Sequence, residues 1–347
     1  MADDLPWTPV DPVAAALQPL RMSGVFYCRS EVTAPWALEM PTFADCISFH
    51  VVTTGGCWLE VSGADPRYLR AGDLALVPHG HGHLLYSQPG VVPAGRVDQL
   101  PQQMLGEHYS ILRHGGGGAP STLVCGVISF HDPGAQQLIG LLPPVIHIDG
   151  STRPARIWIG DTLGLMAAEL SQLRPGGEAV ITRLADILVI QAIRTWLETD
   201  PAARTGWLGA LQDAQIGQAI AAVHRDPGRP WSLAALAKQA AMSRSAFAAR
   251  FTHLVGEPPM RYVTRWRMQV AAAQLRQCRA TVRELATRFG YDSEAAFSRA
   301  FKRVVGVSPG AVRALDGHQG GAASTPDPAV RPPATVRSAL PNRPTPP

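Results

Sequence analysis

Arginine side chains in this 347-residue sequence are spaced to do chemistry on a polyanion. Arg244 and Arg250 share one apolar-periodic segment, and Arg299, Lys302 and Arg303 share another. Each segment carries two phenylalanines four apart, Phe247 with Phe251 and Phe297 with Phe301. If those rings point inward, helical spacing puts Arg244, Ser245, Ala248 and Ala249 on one outward face and Glu294, Ala295, Ser298 and Arg299 on the other. A guanidinium on such a face can grip guanine O6 and N7 together, which makes Arg299 the first candidate for a base contact. Arg244, Lys302 and Arg303 are placed for phosphate contacts that set register, and Arg250 joins the same DNA-binding set. A solvated helix face is the alternative for each. Imidazoles, the commonest metal ligands among side chains, concentrate elsewhere, at His79, His81 and His83, with His50 on an earlier apolar segment. The five cysteines (Cys28, Cys46, Cys57, Cys125, Cys278) form no CxxC pair, which argues for a reducing compartment and against a disulfide scaffold or zinc ribbon.

The elements that must position these groups divide by composition. Residues 1–212 carry 12 Arg and no Lys against 19 Asp plus Glu, a net −7, whereas 213–317 carry 16 basic against 7 acidic residues, a net +9. Biased codon usage explains a choice of Arg over Lys but not a sign change at one place, so a polyanion-binding module joined to an acidic one is expected. Residues 25–130 read as β: Ile47–Val52, Cys57–Val61, Asp73–Val77 and Leu123–Phe130 are rich in β-formers and separated by turn residues, as in a small barrel or sandwich. Residues 156–173 and 178–198 read as two helices, the second with one apolar stripe through Ile181, Leu184, Leu188, Ala192 and Trp196; this hairpin either covers the barrel or forms a dimer contact. The rest is helical from Asp213 to about Arg313. Eight prolines in the last thirty residues predict a disordered tail over 318–347. No apolar run reaches the ~20 residues of a membrane span, and the acidic Met-Ala-Asp-Asp start is unlike an export signal, so the expected location is the cytoplasm.

The basic block contains one motif twice. Leu236-Ala237 and Leu285-Ala286 are each followed by three residues, a small residue, an apolar residue, a polar N-cap and a second helix. That is helix, tight turn, helix, with Ser243 capping the first recognition helix and Asp292 or Ser293 the second. Residues 258–276 read as a long helix holding the two units at fixed separation. The block resembles the DNA-binding domain of AraC/XylS-type transcription regulators over Asp213–Arg313, including Gly290-Tyr291, Ser293, Phe297-Ser298-Arg299-Ala300-Phe301-Lys302, Gly306 and Ser308-Pro309. Ala241 departs from it, standing where a turn glycine is usual; a positive φ there would cost up to ~1 kcal/mol.

In the N-terminal half, Gly72 to His83 fits G-x5-P-x-G-x2-H and resembles the second motif of the cupin barrel. The resemblance implies that His83 is placed to ligate a divalent metal, with His50 as partner and one of His79, His81 or His108 as a third donor. The first cupin motif is absent, since His50 has no His two residues on and Glu60 lies ten on. Segments around Cys28, Cys125, Leu141–Val145 and Trp207–Asp213 resemble the cupin-type branch of AraC regulators, some of which respond to reactive chlorine species. This resemblance makes Cys28 and Cys125 the redox-sensing candidates, with Arg29 favouring the Cys28 thiolate; Cys46, Cys57 and Cys278 read as core or bystander residues. The expected fold is α+β multidomain: a cupin-like β-barrel over 1–150, a helical hairpin and linker over 151–212 that could dimerise, and an all-α double helix-turn-helix domain over 213–314. The implied function is a DNA-binding transcription regulator, an activator on family resemblance, with double-stranded DNA and RNA polymerase as partners and a small molecule, metal or oxidant as signal. A homodimer and a metal-dependent cupin enzyme fused to a DNA-binding module stay open as alternatives; no catalytic residues and no membrane contact are expected.

Overall fold

Side chains alternate across each strand of the N-terminal half, so every strand offers one row to each of two apolar layers. The computed structural model describes residues 11–17, 22–43, 45–106, 108–130, 133–172, 175–277 and 280–313. A short helix α1 (Pro12–Leu17) precedes β1 (Met22–Thr33), β2 (Ala37–Met40), β3 (Cys46–Thr54), β4 (Gly56–Val61), β5 (Arg67–Arg70), β6 (Leu74–Val77), β7 (His83–Tyr86), β8 (Gln102–Met104), β9 (Tyr109–Gly115) and β10 (Pro120–Phe130). Helix α2 (Pro133–Ile139) and β11 (Ile146–Ile148) follow. The larger sheet runs β11-β6-β3-β10-β1-β9-β8 and the smaller runs β2-β7-β4-β5. Val32, Val52, Ala75, Val77, Leu112 and Leu123 from the larger sheet meet Leu38, Met40, Cys57, Leu59, Leu69 and Leu85 from the smaller in one buried interior.

The opposite face of the larger sheet is equally apolar. Ile47, Phe49 and Val51 of β3, with Leu74, Leu76, Ile128 and Phe130, point away from the smaller sheet into a second core. Gly126 leaves the room that the Phe49 ring fills, since a Cβ there would lie 2.3 Å from it. Helices α3 (Arg153–Gln172) and α4 (Gly177–Thr199) form the hairpin, and α4 lays Ile181, Leu184, Ala185, Leu188, Ala192 and Trp196 onto this face. The hairpin therefore covers the sheet, while Ile157 and Leu165 of α3 stay exposed.

The remaining elements are helices: α5 (Gly206–Gln212), α6 (Ile216–Arg225), α7 (Leu233–Gln239), α8 (Arg244–Val255), α9 (Pro259–Arg276), α10 (Val282–Arg288) and α11 (Glu294–Val305). Side-chain caps fix where several begin. Ser232 Oγ accepts from Ala235 N–H, Ser243 Oγ from Ala246 N–H, and Ser293 Oγ from Ala296 N–H; Thr281 and Glu284 form a reciprocal capping box. Each such cap is worth about 1 kcal/mol. Ser293, not Asp292, is thus the cap of α11. Among the described residues no helix is long and apolar enough to cross a membrane. Cys278 and the Pro-rich stretch 318–347 lie outside the described residues, as does the Met-Ala-Asp-Asp start.

Candidate nucleic-acid interface and barrel interior

Two helix-turn-helix units, α7–α8 and α10–α11, are built the same way. In each the first helix ends in a left-handed residue, Ala241 at φ 50° and Gly290 at φ 74°. The next amide turns back to the helix: Met242 N–H donates to Ala237 O and Tyr291 N–H to Ala286 O, both 2.9 Å. This closure satisfies carbonyls that a helix end leaves open. It also shows that Ala241 does bear the positive φ that a glycine would take without strain. Phe247 and Phe251, and Phe297 and Phe301, are buried in their respective cores.

The outward faces follow from that anchoring. Arg244, Ser245, Ala249 and Arg250 on α8 are exposed and Ala248 is half-buried; on α11 Glu294, Ala295, Arg299, Lys302 and Arg303 are exposed and Ser298 is half-buried. Two of these candidates are ion-paired within the chain, which the sequence did not reveal. Arg250 Nη2 lies 2.6 Å from Asp213 Oδ2, and Glu294 Oε1 lies 3.0 Å from Arg283 Nε. Asp213 is the residue that also caps α6, accepting from Gln215 and Ile216 N–H, so Arg250 is committed to holding α8 against α6. Arg244, Arg299, Lys302 and Arg303 have no acidic partner among the described residues.

The barrel interior gathers the other four candidates. Cys28 of β1 stands directly opposite Cys125 of β10, and Cys125 directly opposite His50 of β3. The three form one cross-strand row facing the smaller sheet, from which His83 of β7 reaches across; all four are buried. His50 Nε2 and His83 Nε2 are 2.7 Å apart, and His83 Nδ1 is 2.9 Å from His81 O. The His81 carbonyl only accepts, so His83 carries its proton on Nδ1, its Nε2 accepts from His50 Nε2–H, and the His50 Nδ1 lone pair is buried without a partner. Burial, then the neighbouring His83, holds His50 well below the usual histidine range, and burial holds His83 down to about 4. Burial first, then Cys28 and Cys57, pushes the Cys125 thiol well up.

The other sequence candidates lie apart from this cluster. His79 Nε2–H donates to the Leu142 carbonyl, 2.9 Å away, and its ring lies tilted beside that of His81 instead of joining the pair. His108 is exposed. Among the described residues no three His, Cys, Asp or Glu side chains are grouped to hold a metal, so two imidazoles in direct contact do not fit a closed metal centre. Arg29 is also misplaced for activating Cys28. Strand alternation sends it to the opposite face, where it pairs with Glu31 at 3.0 Å. Cys28 instead has Ser30 Oγ at 3.6 Å, two residues along the same face. Cys57 is core, its thiol raised by burial to about 12, and Cys46 is half-buried.

Sequence reasoning missed a third cluster, because it joins residues far apart in the chain. Trp207 Nε1–H on α5 donates to the Tyr262 hydroxyl of α9 at 2.9 Å, and that hydroxyl lies 2.6 Å from His224 Nε2 of α6. The His224 ring stacks on Trp266 at 3.7 Å. Burial, then Arg265, lowers His224 to about 3, so the imidazole is neutral and the Tyr262 hydroxyl donates to it.

Comparison with known proteins supplies the context. Residues 11–198 match a cupin family and residues 236–314 a helix-turn-helix domain family. A putative AraC-like transcription regulator of Streptomyces lividans is 34% identical over 88% of this chain and 98% of its own length. The HTH-type transcriptional regulator AlkR of Acinetobacter baylyi is 28% identical over 86% of this chain and 98% of its own. The RCS-specific HTH-type transcriptional activator RclR of Escherichia coli is 25% identical over 77% and 84%.

Proposed function

The chain belongs to the AraC-like family of transcription regulators, and on that premise we propose that α8 and α11 enter two successive major-groove segments while the barrel interior receives the signal. The observation that carries the DNA half is the repeated arrangement of a capped helix, two buried phenylalanines and an outward face on which Arg244, or Arg299, Lys302 and Arg303, stand without acidic partners. Arg299 reads a base, and Arg244, Lys302 and Arg303 hold phosphates; Ser245, Ala248, Ala249, Ala295 and Ser298 line the approach to the bases. Glu294, paired to Arg283, and Arg250, paired to Asp213, shape these faces without gripping DNA themselves. Residues 1–150 are assigned to the sensor, 151–212 to the hairpin and linker with a dimer contact on α3, and 213–314 to DNA. The regulator works in the cytoplasm as an activator that contacts RNA polymerase.

The sensing half rests on the Cys28–Cys125 register. Residues directly opposite on adjacent antiparallel strands have Cα atoms about 4.5–5.5 Å apart, inside the span that a disulfide bridges. Hypochlorous acid chlorinates one thiol with loss of water; the second sulfur displaces chloride, and its proton leaves, giving a disulfide. Similarity to a relative named RCS-specific supports that oxidant class. An enzyme is not favoured, because the interior offers two imidazoles in mutual contact and no third ligand among the described residues. Gel-shift titration of genomic DNA fragments, with and without hypochlorite, tests the reading on wild type and Cys28→Ser. Specific binding that changes with oxidant in wild type alone is expected. An equal oxidant response in both proteins would overturn the thiol assignment, and absence of any specific complex would overturn the whole.

A further inference from the structure

The two helix-turn-helix units do not share a core. The N-terminal half of α9 gives Tyr262, Val263 and Trp266 to the core of the first unit, with Phe247 and Phe251. Its C-terminal half gives Met268, Ala271, Ala272 and Leu275 to the separate core of the second, with Phe297 and Phe301. The seam between the two cores falls at residue 267. That residue is an arginine whose fork spans the seam. Arg267 Nε donates to Pro227 O at 2.8 Å and Nη2 to Arg229 O at 2.7 Å, both in the loop after α6. Nη1 reaches Phe289 O, at the end of α10 in the second unit, at 3.4 Å.

The loop it grips is itself wired. Asp226 Oδ1 accepts from Arg229 N–H, Trp231 Nε1–H donates to Asp226 O, and the Arg229 guanidinium sits 4.6 Å over the Trp231 ring. Gly228 lies against Arg288, where an added Cβ would be 3.4 Å from both its Cγ and its carbonyl oxygen. A planar guanidinium with five donors in fixed directions can hold three carbonyls on two bodies at once, which a lysine ammonium on a flexible stem cannot do with the same geometry. Without it, a helix of 18 residues, about 27 Å long, and the Gly228–Arg288 contact are left to set the angle between the units.

We infer that Arg267 is a positioning residue that sets the spacing and twist between the two DNA-reading units, and so sets how many base pairs separate the two boxes of the operator. The inference rests on the reading that both units grip one duplex. It does not require Arg267 to touch DNA.

The test uses the full-length protein and the duplex that wild type recovers from a randomised DNA library, then the same duplex with one base pair inserted between its two boxes. One base pair turns the second box by about 35°, so wild type should lose at least about tenfold in affinity. Arg267→Met keeps the aliphatic stem and removes the fork. It should bind the parent duplex about tenfold more weakly and lose less than about threefold more on the insertion. Arg267→Lys, the variant that retains charge, should keep part of the spacing discrimination, and thermal melting of both variants checks that they fold. Equal weakening on both duplexes, with wild-type spacing discrimination intact, would overturn the inference by showing a general stability role. A wild type indifferent to the insertion would remove the two-groove reading, and the inference with it.

Discussion

Ala241 and Gly290 stand at the same point of the two units and do the same job with different residues. Both are left-handed and both close the turn that aims a recognition helix. A non-glycine residue there bears roughly 1–2 kcal/mol of steric strain. Glycine would relieve it but would add roughly 0.4–1 kcal/mol of entropy to the unfolded chain. The strain term wins. Ala241→Gly should stabilise the protein by about 0.5–1 kcal/mol, read as a higher urea midpoint with unchanged slope, whereas a lower midpoint would mean that the turn is not strained. Ala241 was legible as an exception because the family pattern that the block resembles has a turn glycine there. The partners of Arg250 and Glu294 were not legible, because Asp213 and Arg283 are remote in sequence from the faces they adjust.

At the scale of elements, α5, α6 and α9 are joined through the Trp207, His224, Tyr262 and Trp266 cluster. His224 is neutral there, and in the unfolded chain it titrates near 6.5. Below pH 6.5 the unfolded chain therefore binds more protons than the folded one. The contribution is fully present above pH 6.5 and is lost as pH falls toward about 3, at about 1.4 kcal/mol per pH unit. Between pH 7.5 and 5.0, urea unfolding of wild type should lose about 2 kcal/mol more than that of His224→Phe. The same pH dependence in both proteins would show that His224 is protonated in the fold. Periodicity and caps made the long elements readable: the spacing predicted helices at 178–198 and 258–276, and the structure has them at Gly177–Thr199 and Pro259–Arg276. The short strands β2, β5, β7 and β11 carry three or four residues each, too few for a period to register, and they are placed by cross-strand pairing in the sheets. The row of Cys28, Cys125 and His50 depends on how β1, β10 and β3 align, so the sequence offered the two cysteines and the His50–His83 pair as unrelated candidates.

For the whole molecule, the charge sign changes near Asp213, well after the last strand ends at Ile148 and just before α6, and the basic block carries both recognition helices. The cupin half presents its candidate chemistry to a closed interior, not to solvent, which suits a domain that registers a signal. The central claim is that two units read one duplex together. Hydroxyl-radical footprinting of the full-length protein on a selected DNA fragment tests it most directly. The account predicts two protected segments on one face of the helix, centred about ten base pairs apart, both fading together as salt is raised. A single protected segment, or two that fade independently, would contradict it.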